Sequence, residues 1–168
     1  MEHHDVERLT SLLSQLEPGK LPLPVFMEMA RLTTVPIIEI VPLRYGSESG
    51  IEVLMLVREE SDPLWAGMLH TPGTVIRAYD EPGSYKGAFD RILKEELGGT
   101  LTTEPVLLKT VLRKVQRGTE LASIYYVEVT GEPIQGTFYP LEPFPDNVVE
   151  SQIGFIHEAA KAYTASQD

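Results

Sequence analysis

The sequence predicts an α+β fold in which helices cover a mixed, mostly antiparallel sheet, and three observations predict it. Apolar runs of strand length, among them PIIEIVPLR, IEVLMLVRE and LASIYYVEV, fill the middle of the chain. One helical stretch, Gly83 to Leu97, interrupts them, and a second, Asp146 to Ala165, closes the chain. The order reads β-β-β-α-β-β-α behind two short N-terminal helices. At 168 residues, 42% of them apolar, the chain is long enough to bury a full core without disulfide or metal staples. It shows no repeat, low-complexity run or interdomain linker.

Asp5 to Leu16 reads as an amphipathic helix with Val6, Leu9, Leu12, Leu13 and Leu16 on one side, ended by Gly19. A second helix starts near Pro24, a residue suited to a first helical turn, and runs through PVFMEMARL. These form an N-terminal helical extension, residues 1–35, expected to pack on the main domain, residues 36–168, or on a second subunit of a homodimer. From Pro36 the texture turns to strands, with YGSESG as the turn of a β-hairpin. A loop carrying Asp62, Pro63 and Trp65 leads to a short strand within MLHTPGTVIR, and AYDEPGS forms a turn before the helix. Gly98 and Gly99 stop that helix. VLLKTVLRKVQR and LASIYYVEV make a second strand pair joined by Gly118 to Glu120, and GTFYPLEPFPDN is an extended, Pro-rich connection.

A net charge of −11 argues against a nucleic-acid backbone or an anionic membrane as partner. It leaves room for a nucleotide brought in by a divalent metal. The absence of cysteine excludes disulfides, thiolate nucleophiles and Cys-ligated zinc. No apolar run approaches the roughly 18 residues of a membrane span, and the start of the chain carries Glu2 and Asp5 rather than a basic region. The expectation is a cytoplasmic protein.

The segment DRILKEELGG, Asp90 to Gly99, carries the strongest functional signal. At about 100° per residue, Phe89, Leu93 and Leu97 define an apolar face, with Glu96 projecting between Ile92 and Leu93 and Glu95 at the edge near Ala88. A carboxylate on such a face needs a cation or a strong hydrogen-bond network. Otherwise it snorkels out, or the helix phase differs from the ideal wheel.

The stretch from Trp65 to Gly98 resembles the Nudix hydrolases, whose box reads G-x5-E-x7-R-E-U-x-E-E-x-G-U, with U a bulky aliphatic residue. The matching elements are Pro72 and Gly73, Glu81, Arg91, Glu95, Glu96 and Gly98. The resemblance extends from Pro36 to Tyr163, and implies a Nudix-like α/β/α sandwich and Mg²⁺- or Mn²⁺-dependent hydrolysis of a nucleoside diphosphate linked to another group. Within it, Glu95 and Glu96, with a backbone carbonyl at Gly73, hold the metal, hard oxygen ligands that suit such ions. Glu95 and Glu96 are the expected catalytic carboxylates. Arg91 is expected to hold Glu95 through an i,i+4 pair, and Glu81 to tie the loop to the helix.

Four departures separate this chain from the pattern. Thr74 replaces the second glycine of the usual pair, so that position must avoid positive φ. Glu81 lies two residues too far from Arg91, and Gly99 replaces the final aliphatic. Ile92 stands where typical members have a metal-ligating glutamate. RILKEELG is similar in this to the GDP-mannose mannosyl hydrolase branch, which uses one metal on a nucleotide sugar. The same substitution supports a second reading, a catalytically impaired module that senses a nucleotide or sugar nucleotide.

Other candidates have two readings each. Arg58 ends a strand where family members often contact substrate phosphate; a solvated strand end is the alternative. His70 either faces the site or is a strand histidine bonded to backbone, and Trp65 either stacks on a base or covers core. Glu120, in the expected hairpin turn, is an out-of-helix base or, more simply, a surface charge. Arg113, Lys114 and Arg117 form the local basic patch, suited to phosphates or to protecting a sheet edge. Glu150 suits a helix start, and His157 reads as packing.

Overall fold

A computed structural model describes residues 2–46, 50–100 and 102–166. Its spine is β1 (Thr34–Gly46), in which Ile37 and Val41 point to one face and Ile38 and Ile40 to the other, all buried. A strand apolar on both faces belongs in the middle of a covered sheet. β2 (Gly50–Val57) returns antiparallel, with Leu43 opposite Val53 and Gly46 opposite Gly50. The expected turn between them includes Ser47, Glu48 and Ser49, which lie outside the described residues.

The anticipated single strand in MLHTPGTVIR is two, β3 (Leu69–His70) and β4 (Gly73–Val75). They pair with different partners, β3 with β2 and β4 with β1, because Pro72 between them has no N–H to continue a ladder. β5 (Val106–Val115) and β6 (Gly118–Glu128) form the second hairpin, and Val115 opposite Gly118 leaves only Gln116 and Arg117 in the turn. Gly118 to Glu120, expected as the turn, therefore belong to β6. Part of the Pro-rich connection is also a strand, β7 (Thr137–Pro140), on the edge of β2. The seven-stranded sheet runs β3-β2-β1-β6-β5, with β4 added to β1 and β7 to β2. It is mostly antiparallel, yet its longest pairing is the parallel one of β1 with β6, from Thr34 opposite Thr119 to Leu43 opposite Glu128.

Helices cover both faces. α4 (Glu150–Ala165), which starts four residues later than expected, packs Phe155, Ile156, Ala159 and Tyr163 against Ile37, Val41 and Leu43. α3 (Lys86–Arg91) and the turn after it cover Ile38, Ile40, Tyr125 and Val127 with Ala88 and Ile92. The N-terminal helices differ from each other. α1 (His3–Leu13) buries no residue, whereas α2 (Leu23–Leu32) buries Ala30 at 1% exposure against the sheet. A Cβ on Gly118 would collide with the Ala30 carbonyl oxygen, so only glycine admits α2 there. Among the described residues no helix is long and apolar enough to cross a membrane.

Candidate active site

The helix that carries the two glutamates departs from α-geometry where they occur. After Arg91 the backbone widens into a π-turn, Ile92–Glu96, in which the Leu97 N–H bonds the Ile92 carbonyl, five residues back, at 3.0 Å. Ile92 and Leu97 thus share one side, and both are fully buried. Gly98 and Gly99 end the turn at φ 62° and 87°, with the Gly99 N–H on the Leu93 carbonyl at 2.7 Å.

Glu96 is half-buried, and its Oε2 accepts the Gly73 N–H at 3.0 Å. Burial pushes its pKa up to about 7, with Glu39 and Glu95 adding like charge, against the pull of the Gly73 N–H and Arg58. Gly73 was expected through its carbonyl; the contact made here is through its N–H. A Cβ at Gly73 would lie 3.0 Å from a Glu39 carboxylate oxygen and from the Ile38 carbonyl oxygen, a tight fit that glycine avoids. Thr74 lies in β4, and among the described residues no residue but glycine has positive φ. Glu95 is exposed.

Arg91 does not hold Glu95. Its guanidinium forks onto Asp80, with Nη2 at 2.9 Å from Oδ2 and 3.0 Å from the Val75 carbonyl. Hydrogen bonding from Arg91 holds the Asp80 carboxyl below the usual range. Asp80, not the exposed Glu81, ties the loop to the helix. The sequence signal was present, since Asp80 is the neighbour of Glu81, but its reach depends on the loop's fold.

Glu95 and Glu96 line a cleft of about 700 Å³ whose other walls include Arg58, Asp62, His70 and Gln135. Arg58 directly follows β2 and lies 3.8 Å from Asp62, and its Nε is buried with no hydrogen-bond partner among the described residues. Asp62 is committed to its own loop, accepting the Leu64 and Trp65 N–H groups at 2.9 Å. Those bonds hold its pKa low although burial acts the other way. His70, 5% exposed, donates Nδ1–H to the Thr71 carbonyl at 2.8 Å. Burial and Arg58 lower its pKa to about 4, so it is a neutral imidazole whose Nε2 is an acceptor. It is both the backbone-bonded strand histidine and a wall of the cleft.

Trp65 stands apart from this cleft, its ring near the guanidinium groups of Arg58 and Arg117, at 5.8 and 5.5 Å. Behind it lies a buried ionic network that the sequence did not reveal. Glu120, expected at the surface, is 1% exposed; Arg113 Nε reaches it at 3.0 Å and Arg117 Nε at 2.6 Å. Arg113 also bonds Glu39, whose second oxygen accepts Gln152 Nε2 at 3.0 Å and the Thr71 hydroxyl at 3.2 Å. Burial raises the Glu39 pKa against the pull of Arg113. Arg113 and Arg117 are thus neither open phosphate receptors nor edge guards. Glu39, flanked by isoleucines in a strand, was the available hint. His157 packs on Phe144, ring centroids 4.9 Å apart, as expected, and Glu150 is exposed at the start of α4.

No protein-family model matches the chain, and no curated protein matches it in sequence. Solved structures do match its fold. The NUDIX domain of Shewanella oneidensis NrtR, complexed with ADP ribose, superposes with TM-score 0.61 at 16% identity, covering 97% of this chain and 99% of that one. This chain has the Nudix fold. A mutT/nudix family protein from Listeria innocua gives TM-score 0.60 at 16% identity, covering 80% of this chain and 97% of that one. The Ap4A hydrolase of C. elegans gives 0.57 at 15%, covering 79% and 99%.

Within the Nudix fold, the donor set bears on the divalent metal that the box implies. Among the described residues no group of three or more acidic or histidine side chains converges. Ile92, at the position of the box glutamate, is sealed among Ile38, Ile40 and Tyr125. Glu95 and Glu96 are neighbouring carboxylates on the cleft wall, Glu96 desolvated, while Asp62 on the same wall is taken up by the N–H groups of its own loop. That set fits a single hard ion completed by substrate phosphates and water, and does not fit a protein-only cage or a cluster of ions.

Proposed function

We propose that this Nudix-fold chain hydrolyses a nucleoside diphosphate linked to another group, in the cleft between Arg58 and Glu96. The observation that carries the reading is the placing of a desolvated carboxylate, Glu96, and the Arg58 guanidinium on the walls of one cleft. Arg58 supplies fixed positive charge for phosphate oxygens, where charge develops during P–O or glycosidic cleavage. The Gly73 N–H fixes the Glu96 carboxylate, and Glu95 stands beside it at the open side. Arg91, through Asp80 and the Val75 carbonyl, positions the loop and helix that bear these groups. A Mg²⁺ or Mn²⁺ ion, held by Glu95 and Glu96 with the substrate, would supply Lewis-acid charge at the phosphates. His70, neutral, offers Nε2 as a hydrogen-bond acceptor to the ligand. The ADP ribose of the NrtR domain supports this ligand class, as the linkage has the same chemistry.

A screen of nucleoside diphosphate sugars, dinucleoside polyphosphates and nucleoside triphosphates with Mg²⁺ or Mn²⁺ tests the proposal. Turnover lost with EDTA and in Glu96→Gln is the expected result; glutamine keeps an acceptor for the Gly73 N–H and hence the fold. A second reading, a sensor that binds the same ligands without cleaving them, is favoured by the burial of Ile92. Ligand-induced thermal stabilisation with no turnover in the screen would establish it.

A further inference from the structure

A second cleft, of about 580 Å³, lies between the N-terminal segment and β4, with Gly73 in its lining. Its walls are largely apolar, with Leu21, Phe26, Val75 and Ile76 facing it and Arg117 at the edge. A small cavity of about 60 Å³, whose lining includes Glu39, Arg58, Gly73, Thr74 and Arg117, shares Gly73, Thr74 and Arg117 with this cleft and Arg58 with the first one. Two spaces of opposite character therefore meet at one loop: a charged one at Arg58 and Glu96, and an apolar one at Phe26. The Arg117 guanidinium lies 5.9 Å from the Phe26 ring centroid and is paired with Glu120, so the aromatic wall of this cleft is Phe26 itself.

The segment that builds this wall is held at both ends. Gly19, at φ 77°, lies so close to the Tyr79 ring that a side chain would collide with it, and Gly118 admits the Ala30 carbonyl beneath α2. These contacts seat Leu21 and Phe26 against the domain even though neither belongs to the box region.

We propose that the apolar cleft receives the nucleobase of the ligand whose phosphates lie at Arg58, which makes the N-terminal extension a part of the specificity site. This rests on the ligand class proposed above. A ring with π faces suits the cleft, whereas sugar hydroxyls or phosphates would leave their polar groups unpaired against Leu21, Val75 and Ile76.

Calorimetric titration of the full chain, in Mg²⁺ buffer, with inorganic pyrophosphate and with ADP, GDP, UDP and CDP tests it. At least one nucleoside diphosphate should bind about tenfold or more tighter than pyrophosphate, in line with stacking of one base. Phe26→Leu, and Leu21→Gln at an exposed position that folding tolerates, should bring that nucleotide toward the affinity of pyrophosphate and leave pyrophosphate binding unchanged. Arg58→Ala should weaken both. A wild-type chain that binds nucleotides no tighter than pyrophosphate, or variants that keep the preference, overturns the inference while leaving the phosphate site standing. A change of oligomeric mass in Leu21→Gln would make the cleft a contact between copies and overturn it as well. Failure of every probe, pyrophosphate included, removes the underlying reading and this one together.

Discussion

Replacing Ile92 by glutamate restores the residue that the Nudix box calls for, and the structure predicts damage where the box predicts a gain. Ile92 is 0% exposed, packed with Ile38, Ile40, Ala88, Tyr125 and Val127. Removing its side chain in Ile92→Ala should cost about 3 kcal/mol in lost burial and cavity formation. At roughly 2–4 °C per kcal/mol for a chain of this size, that is a fall in Tm of about 6–12 °C. Ile92→Glu loses the same burial and adds an unpaired carboxyl, for a total of about 5 kcal/mol or more, comparable with the whole stability of many domains. Burial raises the pKa of such a group above its unfolded value, so the folded state binds the proton more tightly. The sign follows: the Ile92→Glu deficit is smallest below about pH 4 and grows as pH rises through the folded-state pKa. Urea unfolding of the wild-type chain, Ile92→Ala and Ile92→Glu at pH 4 and pH 8, followed by circular dichroism, reads these quantities. An Ile92→Glu chain within about 1 kcal/mol of wild type at pH 8 would refute the placement of Ile92, and with it the π-turn that puts it there.

Asp80→Ala strands the Arg91 guanidinium in a half-buried site and should cost about 3 kcal/mol by denaturant titration, whereas Glu81→Ala should cost less than about 0.5. His70, with its folded pKa lowered from 6.5 to about 4, contributes stability that is present above pH 6.5 and lost as pH falls toward 4. Between those limits the wild-type chain should lose about 3 kcal/mol more than His70→Gln, measured by unfolding at each pH. Gly118→Ala should both strain a backbone at φ 150° and force α2 off the Ala30 contact; faster amide exchange across Leu23–Leu32 than in wild type is the expected readout. Unchanged exchange would mean that α2 is held by other contacts.

The places where the chain was legible from its letters are those governed by neighbours. Strand runs, the Pro at the start of α2 and the Gly98–Gly99 stop all follow from dihedral preferences and periodicity acting over a few residues. The box resemblance rests on the same local order, and it located both Glu95 and Glu96, which the cleft unites with Arg58 and His70. Tertiary structure alone decided the rest. The parallel pairing of β1 with β6 joins segments separated by the whole box, and no local pattern encodes a partner that distant. The π-turn is an answer to packing: it buries Ile92 and Leu97 together, a demand set by the sheet beneath and absent from an ideal wheel. Glu120 looks like an ordinary surface charge, and the isoleucines beside Glu39 hint at burial without naming a partner, until Arg113, remote from Glu39 in sequence, arrives to neutralise both in the interior. Whether a charge is buried depends on what the fold brings to meet it, and that information is not carried by the residue or its neighbours.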